Sequence, residues 1–355
     1  MKLGLGLYRH MLTRDNFRFA RQAGATQIVA HLTNYFHDDP NIPTTGDQGW
    51  GEIEDDRQVW TYEGLSEIKA AINAEGLELA ALENFNPAHW YDILLDGPCK
   101  DEQMEFIKQI IRDMGRVGIP VMGYNFSIAG VWGHVQGPYA RGDAVSVGFL
   151  GVDGPQETPI PKGMVWNMVY DSDAPSGSIG TVTSEQLWQR LTDFLKEVLP
   201  VAEEAGVRLA AHPDDPPMPT LRNTARLVYQ PHYYQRLLDL APSPHNALEF
   251  CIGSLAEMTE GDIYDVVDHY SKQDAIGYIH FRNVRGKVPQ YHEVFVDEGD
   301  VDMVRVMRIL KKNGYAGVLI PDHTPQMICA APWHAGMSYA MGYMRAVMRL
   351  LEVED

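Results

Sequence analysis

Short apolar runs bounded by turn residues recur along the whole chain, and most are followed by a stretch of helical periodicity, the alternation expected of a parallel α/β fold. Eight runs carry it: residues 3–8, 27–32, 78–83, 121–126, 207–212, 247–251, 275–281 and 317–322. Eight strands with following helices predict a closed (β/α)8 TIM barrel rather than an open sheet, formed as a single domain over residues 1–355. Helix starts and stops agree with this rhythm. Thr13 to Asn16 open a helix that ends near Gly24, and others cover 101–117, 184–205 and 302–313, stopping at Gly118, Gly206 and Gly314. Residues 139–180, rich in Gly, Pro, Asp and Ser, are too long for a simple βα loop and read as an excursion over one barrel end, a candidate lid.

Composition narrows the function classes. Hydrophobic residues make up 45% and charged residues 22%, which is ordinary globular usage and excludes a disordered chain. Lys and Arg total 29 against 48 Asp and Glu, a formal charge of −19 that repels nucleic acid and anionic membranes, so neither is expected as a partner. The same field repels a small anionic substrate, so binding one requires a metal ion or local Arg and His to reverse it. Cys99, Cys251 and Cys329 are too few and too widely spaced for a disulfide framework and fit a reducing compartment, the cytoplasm by default. The first residues lack an apolar signal region, and no run reaches the roughly 18 apolar residues of a membrane span. Barrel surfaces commonly self-associate, so a homo-oligomer is expected.

In a parallel barrel the functional groups stand at the C-terminal ends of the strands, where the βα loops converge. The last residue or two of the final four predicted strands are His212, Cys251, His280 and Asp322, all metal-ligand types and each about one βα unit from the next. Two imidazoles, a thiolate and a carboxylate suit one divalent transition ion, with Mn2+, Fe2+, Co2+ and Zn2+ all compatible, rather than Ca2+ or Mg2+. A hydroxy acid would complete such a site and have its α C–H acidified. Around these donors, Asp214 is a candidate to orient a ligand or meet substrate, whereas Asp215 reads as a turn residue. Arg282, two residues after His280 on an extended strand, offers a carboxylate clamp, with Arg9 as a second cation. His323, next to Asp322, is the first candidate for proton transfer. Glu83, Tyr124, Asn125 and His292 are further candidates at the mouth.

These residues sit in segments that together resemble the mannonate dehydratases of the xylose-isomerase-like TIM barrels. The resemblance runs nearly end to end: RQAGAT at 21–26, Glu83, YNF at 124–126, PVAEEAGVRLAAH running into PDDPP over 200–217, CIGS at 251–254, HFR at 280–282, HE at 292–293, GDVDM at 299–303 and PDH at 321–323. It implies a Mn2+- or Fe2+-dependent, with Mn2+ first, dehydration of D-mannonate to 2-keto-3-deoxy-D-gluconate, a step of hexuronate breakdown. It also implies that His212, Cys251, His280 and Asp322 hold the metal and that His323 belongs to the acid–base machinery. After PDH, however, the glycine-rich segment carrying the family's proton-transfer tyrosine is absent, and alignment offers His334 or Tyr339 in its place. The competing expectation is an isomerase, epimerase or keto-sugar lyase acting on a neutral sugar, and convergence of Arg282 and Arg9 on the metal would favour the acid.

Overall fold

The computed structural model describes residues 1–35 and 49–354. Its centre is a closed barrel of eight parallel strands: β1 (Lys2–Leu7), β2 (Gln27–Ala30), β3 (Glu78–Glu83), β4 (Val121–Tyr124), β5 (Arg208–Ala211), β6 (Asn246–Cys251), β7 (Ile276–His280) and β8 (Val318–Ile320). Each strand pairs with its neighbour in sequence, and β1 closes on β8 through Lys2 with Val318 and Leu3 with Leu319. Each of the eight predicted runs contains one of these strands. The layer outside holds α1 (Arg14–Gln22), α2 (Tyr62–Ala74), α3 (Lys100–Val117), α4 (Ser184–Ala205), α5 (His232–Leu240), α6 (Ile263–Lys272), α7 (Met303–Lys312) and α8 (Pro332–Val353).

The predicted helix signals act as read, with one shift. Thr13 caps α1, and Gly118 and Gly206 end α3 and α4 in the left-handed region. The cap of α4 is Thr183 rather than Ser184, because Gln186 reaches back to the Thr183 backbone and completes a capping box.

Strand periodicity decides which side chains reach the lumen. Leu3, Leu5 and Leu7 join the outer core against the helices, so Gly4, Gly6 and Tyr8 turn inward. The inner cluster contains Val29, Ala81, Val121, Ala210, Ala247, Tyr278, Val318 and Ile320. Extending that alternation to the strand tips gives Tyr8, His31, Glu83, Asn125, His212, Cys251, His280 and Asp322. The floor of the barrel is small and apolar, whereas its C-terminal rim is polar on all eight strands.

The excursion differs from its predicted form. It starts at His134, and its strands His134–Ala140 and Ala144–Phe149 complete a four-stranded antiparallel sheet with Asn283–Lys287 and Gln290–Val294, a hairpin following β7. A second, short hairpin, Met164–Val165 with Met168–Val169, packs Trp166 against Tyr35 and Trp50. Among the described residues, no helix is long and apolar enough to cross a membrane.

Candidate active site

The rim is organised around His280, which ends β7. Its Nε2 lies 3.2 Å from Glu83 Oε2 and 3.1 Å from Glu249 Oε1, two carboxyls on the same inward face, which fixes the ring. The opposite nitrogen, Nδ1, is buried, stands 3.3 Å from Asp322 Oδ2 and has no hydrogen-bond partner among the described residues. His212 is held similarly: its Nδ1 donates to the Pro213 carbonyl at 2.6 Å, leaving Nε2 for the lumen. The donor atoms of His212, Cys251 and His280 all lie within 4.8 Å of one another. Burial raises the Cys251 thiol, but the Arg282 charge and the neighbouring His212 and His280 imidazoles overcome this and lower it to about 5, so the sulfur is a thiolate at neutral pH. Burial opposes the charge on His212, whereas its bond to Cys251 and the nearby Glu249 raise it to about 9. An orphaned imidazole nitrogen, a thiolate, a second imidazole and a carboxylate within reach suit a divalent transition ion.

Glu83, Glu249 and His280 form a second cluster of possible ligands. Burial and the adjacent Glu83 push the Glu249 carboxyl up to about 8.

Each sequence motif has a local reason. In CIGS, Cys251 Sγ accepts the Ser254 amide at 3.4 Å and starts the short helix Ile252–Glu257. A Cβ on Gly253 would stand 2.6 Å from Arg282 Nη1, so only glycine lets the guanidinium pass. Ser254 Oγ donates to Asp215 at 3.1 Å and accepts from Arg282 Nη2 at 3.0 Å. In PDH, Asp322 sits in the left-handed region at φ 62°, a turn that folds its carboxylate in beside His280.

Arg282 is not the expected carboxylate clamp. Its fully buried guanidinium bonds Asp322 at 3.1 Å, Glu257 at 2.7 Å, Glu293 at 3.3 Å and Asp215, which occupies it with the protein's own acids. Nor does Arg9 converge on the site, because it pairs with Asp56 and the Leu32 carbonyl. The two aspartates of the 213–217 loop exchange their expected parts. Asp214 is saturated by the amides of Leu227 and Val228 at 2.6 and 2.8 Å and by Arg226 Nε at 2.9 Å, whereas Asp215 joins Arg282, Ser254, Tyr291 and His134. Asp214→Ala is therefore expected to cost about 3–5 kcal/mol in a denaturant titration by stranding buried Arg226, with the activity of folded protein changed less than about threefold, roughly the scatter of a neutral substitution.

Four further candidates also lie elsewhere than expected. Tyr124 faces outward, its ring 5.7 Å from Phe194 of α4, and it is the next residue, Asn125, that turns inward and donates to the Pro213 carbonyl at 3.3 Å. His292 stacks on Tyr139 at 4.2 Å on one face of the antiparallel sheet, while Tyr291 and Glu293 project from the other into the site. His334 bonds Asn16 at 3.0 Å in the helix layer, and Tyr339 packs on Phe295 and Arg141. Neither takes the tyrosine's place among the strand tips.

His323 stands at the opening with 42% of its side chain exposed, its Nδ1 3.1 Å from Glu293 Oε1 and its Nε2 3.6 Å from Asp322 Oδ1. Desolvation works against its charge, but Asp322 and Glu293 outweigh it and raise the imidazole. Tyr8, His31, Asp215, Glu293, Tyr291 and His134 were not singled out from the sequence. The first two follow from strand parity, and the last three arrive through the antiparallel sheet.

The description "D-mannonate dehydratase (UxuA)" belongs to the family model that matches residues 16–147 and 177–355. A mannonate dehydratase of Streptococcus equi subsp. zooepidemicus is 32% identical over 276 residues, covering 75% of this chain and 75% of its own. Mannonate dehydratase 2 of Halalkalibacterium halodurans is 30% identical over 275 residues, covering 75% of this chain and 79% of its own. The crystal structure of mannonate dehydratase from Streptococcus suis serotype 2 superposes with a TM-score of 0.76 at 26% identity, covering 99% of this chain and 95% of that one. A xylose isomerase domain protein from Alicyclobacillus acidocaldarius, at TM-score 0.60 and 12% identity with 99% of each chain covered, shares the fold.

Proposed function

The chain belongs to the D-mannonate dehydratase family of hydro-lyases, and from that premise we propose that it removes water from D-mannonate to give 2-keto-3-deoxy-D-gluconate, with one divalent metal ion, Mn2+ first, held by His212, Cys251, His280 and Asp322. The convergence of His212, Cys251 and His280 at three successive strand tips, with Asp322 against His280 on the fourth, carries this reading. When bound, the ion supplies Lewis acidity toward the substrate carboxylate and 2-hydroxyl.

The chain's own residues do the rest. Glu83 holds the His280 ring, His280, His323 and then Arg282 keep Asp322 ionised against its burial, and the Arg282 bond aims it at the donor cluster. His323 is placed as the base for the C2 proton: its Nδ1 is engaged by Glu293, which leaves Nε2 beside the donor set, and because Asp322 and Glu293 raise the imidazole to about 10 it must release its own proton before it accepts this one. Glu293 comes from the hairpin after β7, so the antiparallel sheet orients the base as well as roofing the barrel. Glu293→Gln keeps a hydrogen bond and removes the charge, and its kcat should fall by about 10- to 100-fold, part of what a general base contributes, with KM little changed in steady-state assays.

Neither arginine clamps the substrate, so the preference for a sugar acid over a neutral sugar rests on family membership. The three cysteines are free, and with the absence of long apolar helices among the described residues they support the proposal of a cytoplasmic enzyme. The test is 2-keto-3-deoxy acid formation across a panel of aldonates, ketoses and aldoses. Product from D-mannonate alone or above all supports the reading; conversion only of neutral sugars would replace it with an isomerase or epimerase.

A further inference from the structure

Elimination needs two proton transfers, one from C2 and one to the departing 3-hydroxyl, and His323 accounts for one of them. Among the eight inward residues at the strand tips, Tyr8 is the one phenol. It follows Gly6 in the inward series of β1, and β1 adjoins β8, where Val318, Ile320 and Asp322 form the matching inward series. A Cβ on Gly6 would meet Ile320 Cδ1 at 3.2 Å, and Tyr8 follows at the next inward position, where burial and then the Asp322 and Glu83 carboxylates hold its phenol above the usual range. On its other flank, the Tyr8 ring lies 4.8 Å from that of His31, whose Nε2 is 3.5 Å from Glu83. The phenol is thereby placed between the β8 tip, with Asp322 and His323, and the carboxyl that holds His280.

Tyr8 also differs from the other tyrosines near the barrel. Tyr124, Tyr278 and Tyr291 are fully buried, whereas Tyr8 is half-buried at the opening. A phenol is neutral at physiological pH and so has a proton to give. Tyr8 lies before residue 16, where the family match begins.

We propose that Tyr8 is the general acid of the elimination, an inference that rests on the dehydratase reading. His323 accepts the C2 proton, the electron pair of that C–H bond is held first as a carbanion delocalised into the carboxylate, and it then forms the C2–C3 double bond as the C3–O bond breaks. Tyr8 gives its proton to the departing hydroxyl, which leaves as water. The enol then moves its hydroxyl proton to C3 to give the 2-keto product, and the proton on His323 returns to the Tyr8 phenolate directly or through solvent, so the enzyme ends as it began.

The test is Tyr8→Phe in the metal-loaded enzyme, compared with the wild type in D2O. The variant keeps the ring against His31, and a melting curve and metal content confirm that it is folded and loaded. The expected result is a kcat lower by about 100-fold or more, the share of a general acid, with KM within a few-fold and deuterium accumulating at C2 of recovered mannonate, because proton abstraction continues while elimination stalls. Wild-type turnover in a folded Tyr8→Phe would overturn the proposal, as would loss of C2 exchange together with turnover. Wild-type turnover of mannonate, measured in the same experiment, separates a failure of the dehydratase reading from a failure at Tyr8.

Discussion

Replacing Cys251 with alanine is expected to abolish dehydration and metal retention while leaving the barrel folded. The sulfur lies within 4.8 Å of both imidazole donors and is kept ionised by Arg282 and the two histidines, so it contributes a negative charge to the donor cluster. Removing a second-shell partner commonly costs about 10- to 100-fold in metal affinity, and removing a ligand should cost more. Stability should change little by comparison. Cys251 is buried at the strand tip, above the apolar floor, and the methyl of alanine keeps part of its contact. Metal analysis after gel filtration, beside a thermal melt, separates the two effects: low metal with a near-native melt is the expected pair, whereas full metal content would take Cys251 out of the ligand set.

The second large effect is at Arg282. Its guanidinium holds Asp215, Glu257, Glu293 and Asp322 together in the absence of solvent. Burial and Asp215 push Glu257 well above the usual carboxylate range, so the cluster already sheds charge, yet Asp215 and Asp322 remain well below theirs. Arg282→Met removes the one strong cation at their centre and should cost about 3–5 kcal/mol, the usual consequence of leaving buried charge unpaired. Activity should fall with it, because Asp322 loses the bond that aims it and Glu293 is freed from its place against His323. Urea unfolding measures the first effect. A variant as stable as the parent would show that the four acids reorganise without the arginine.

The fold was legible because it follows from a strong local signal, runs of apolar residues at βα spacing, and the same runs single out the proposed donors as ligand-type residues ending four of them. The errors share one physical origin. In a strand, one residue's displacement moves a side chain to the opposite face. Strand parity turns Tyr8 rather than Arg9, and Asn125 rather than Tyr124, inward, and it puts Tyr291 and Glu293 rather than His292 on the site side of the antiparallel sheet. Carrying the inward parity of each strand past its last residue would have corrected the first two. Pairing between strands 134–149 and 283–294 is a different matter. It joins segments more than a hundred residues apart, and nothing local in either announces the other. The same holds for Arg282, whose position two residues after His280 was read, but whose acidic partners come from four separate segments.

The central claim is that a metal ion at the His212, Cys251, His280 and Asp322 cluster is required for dehydration of a sugar acid. The most direct measurement is a titration of chelator-stripped enzyme with Mn2+, and separately with Fe2+ under reducing conditions, following 2-keto-3-deoxy acid formation from D-mannonate together with bound metal. The account predicts no turnover in the stripped enzyme and activity that rises linearly to saturation at one ion per chain, with no recovery in Cys251→Ala. Undiminished turnover by enzyme shown to be free of metal would contradict it.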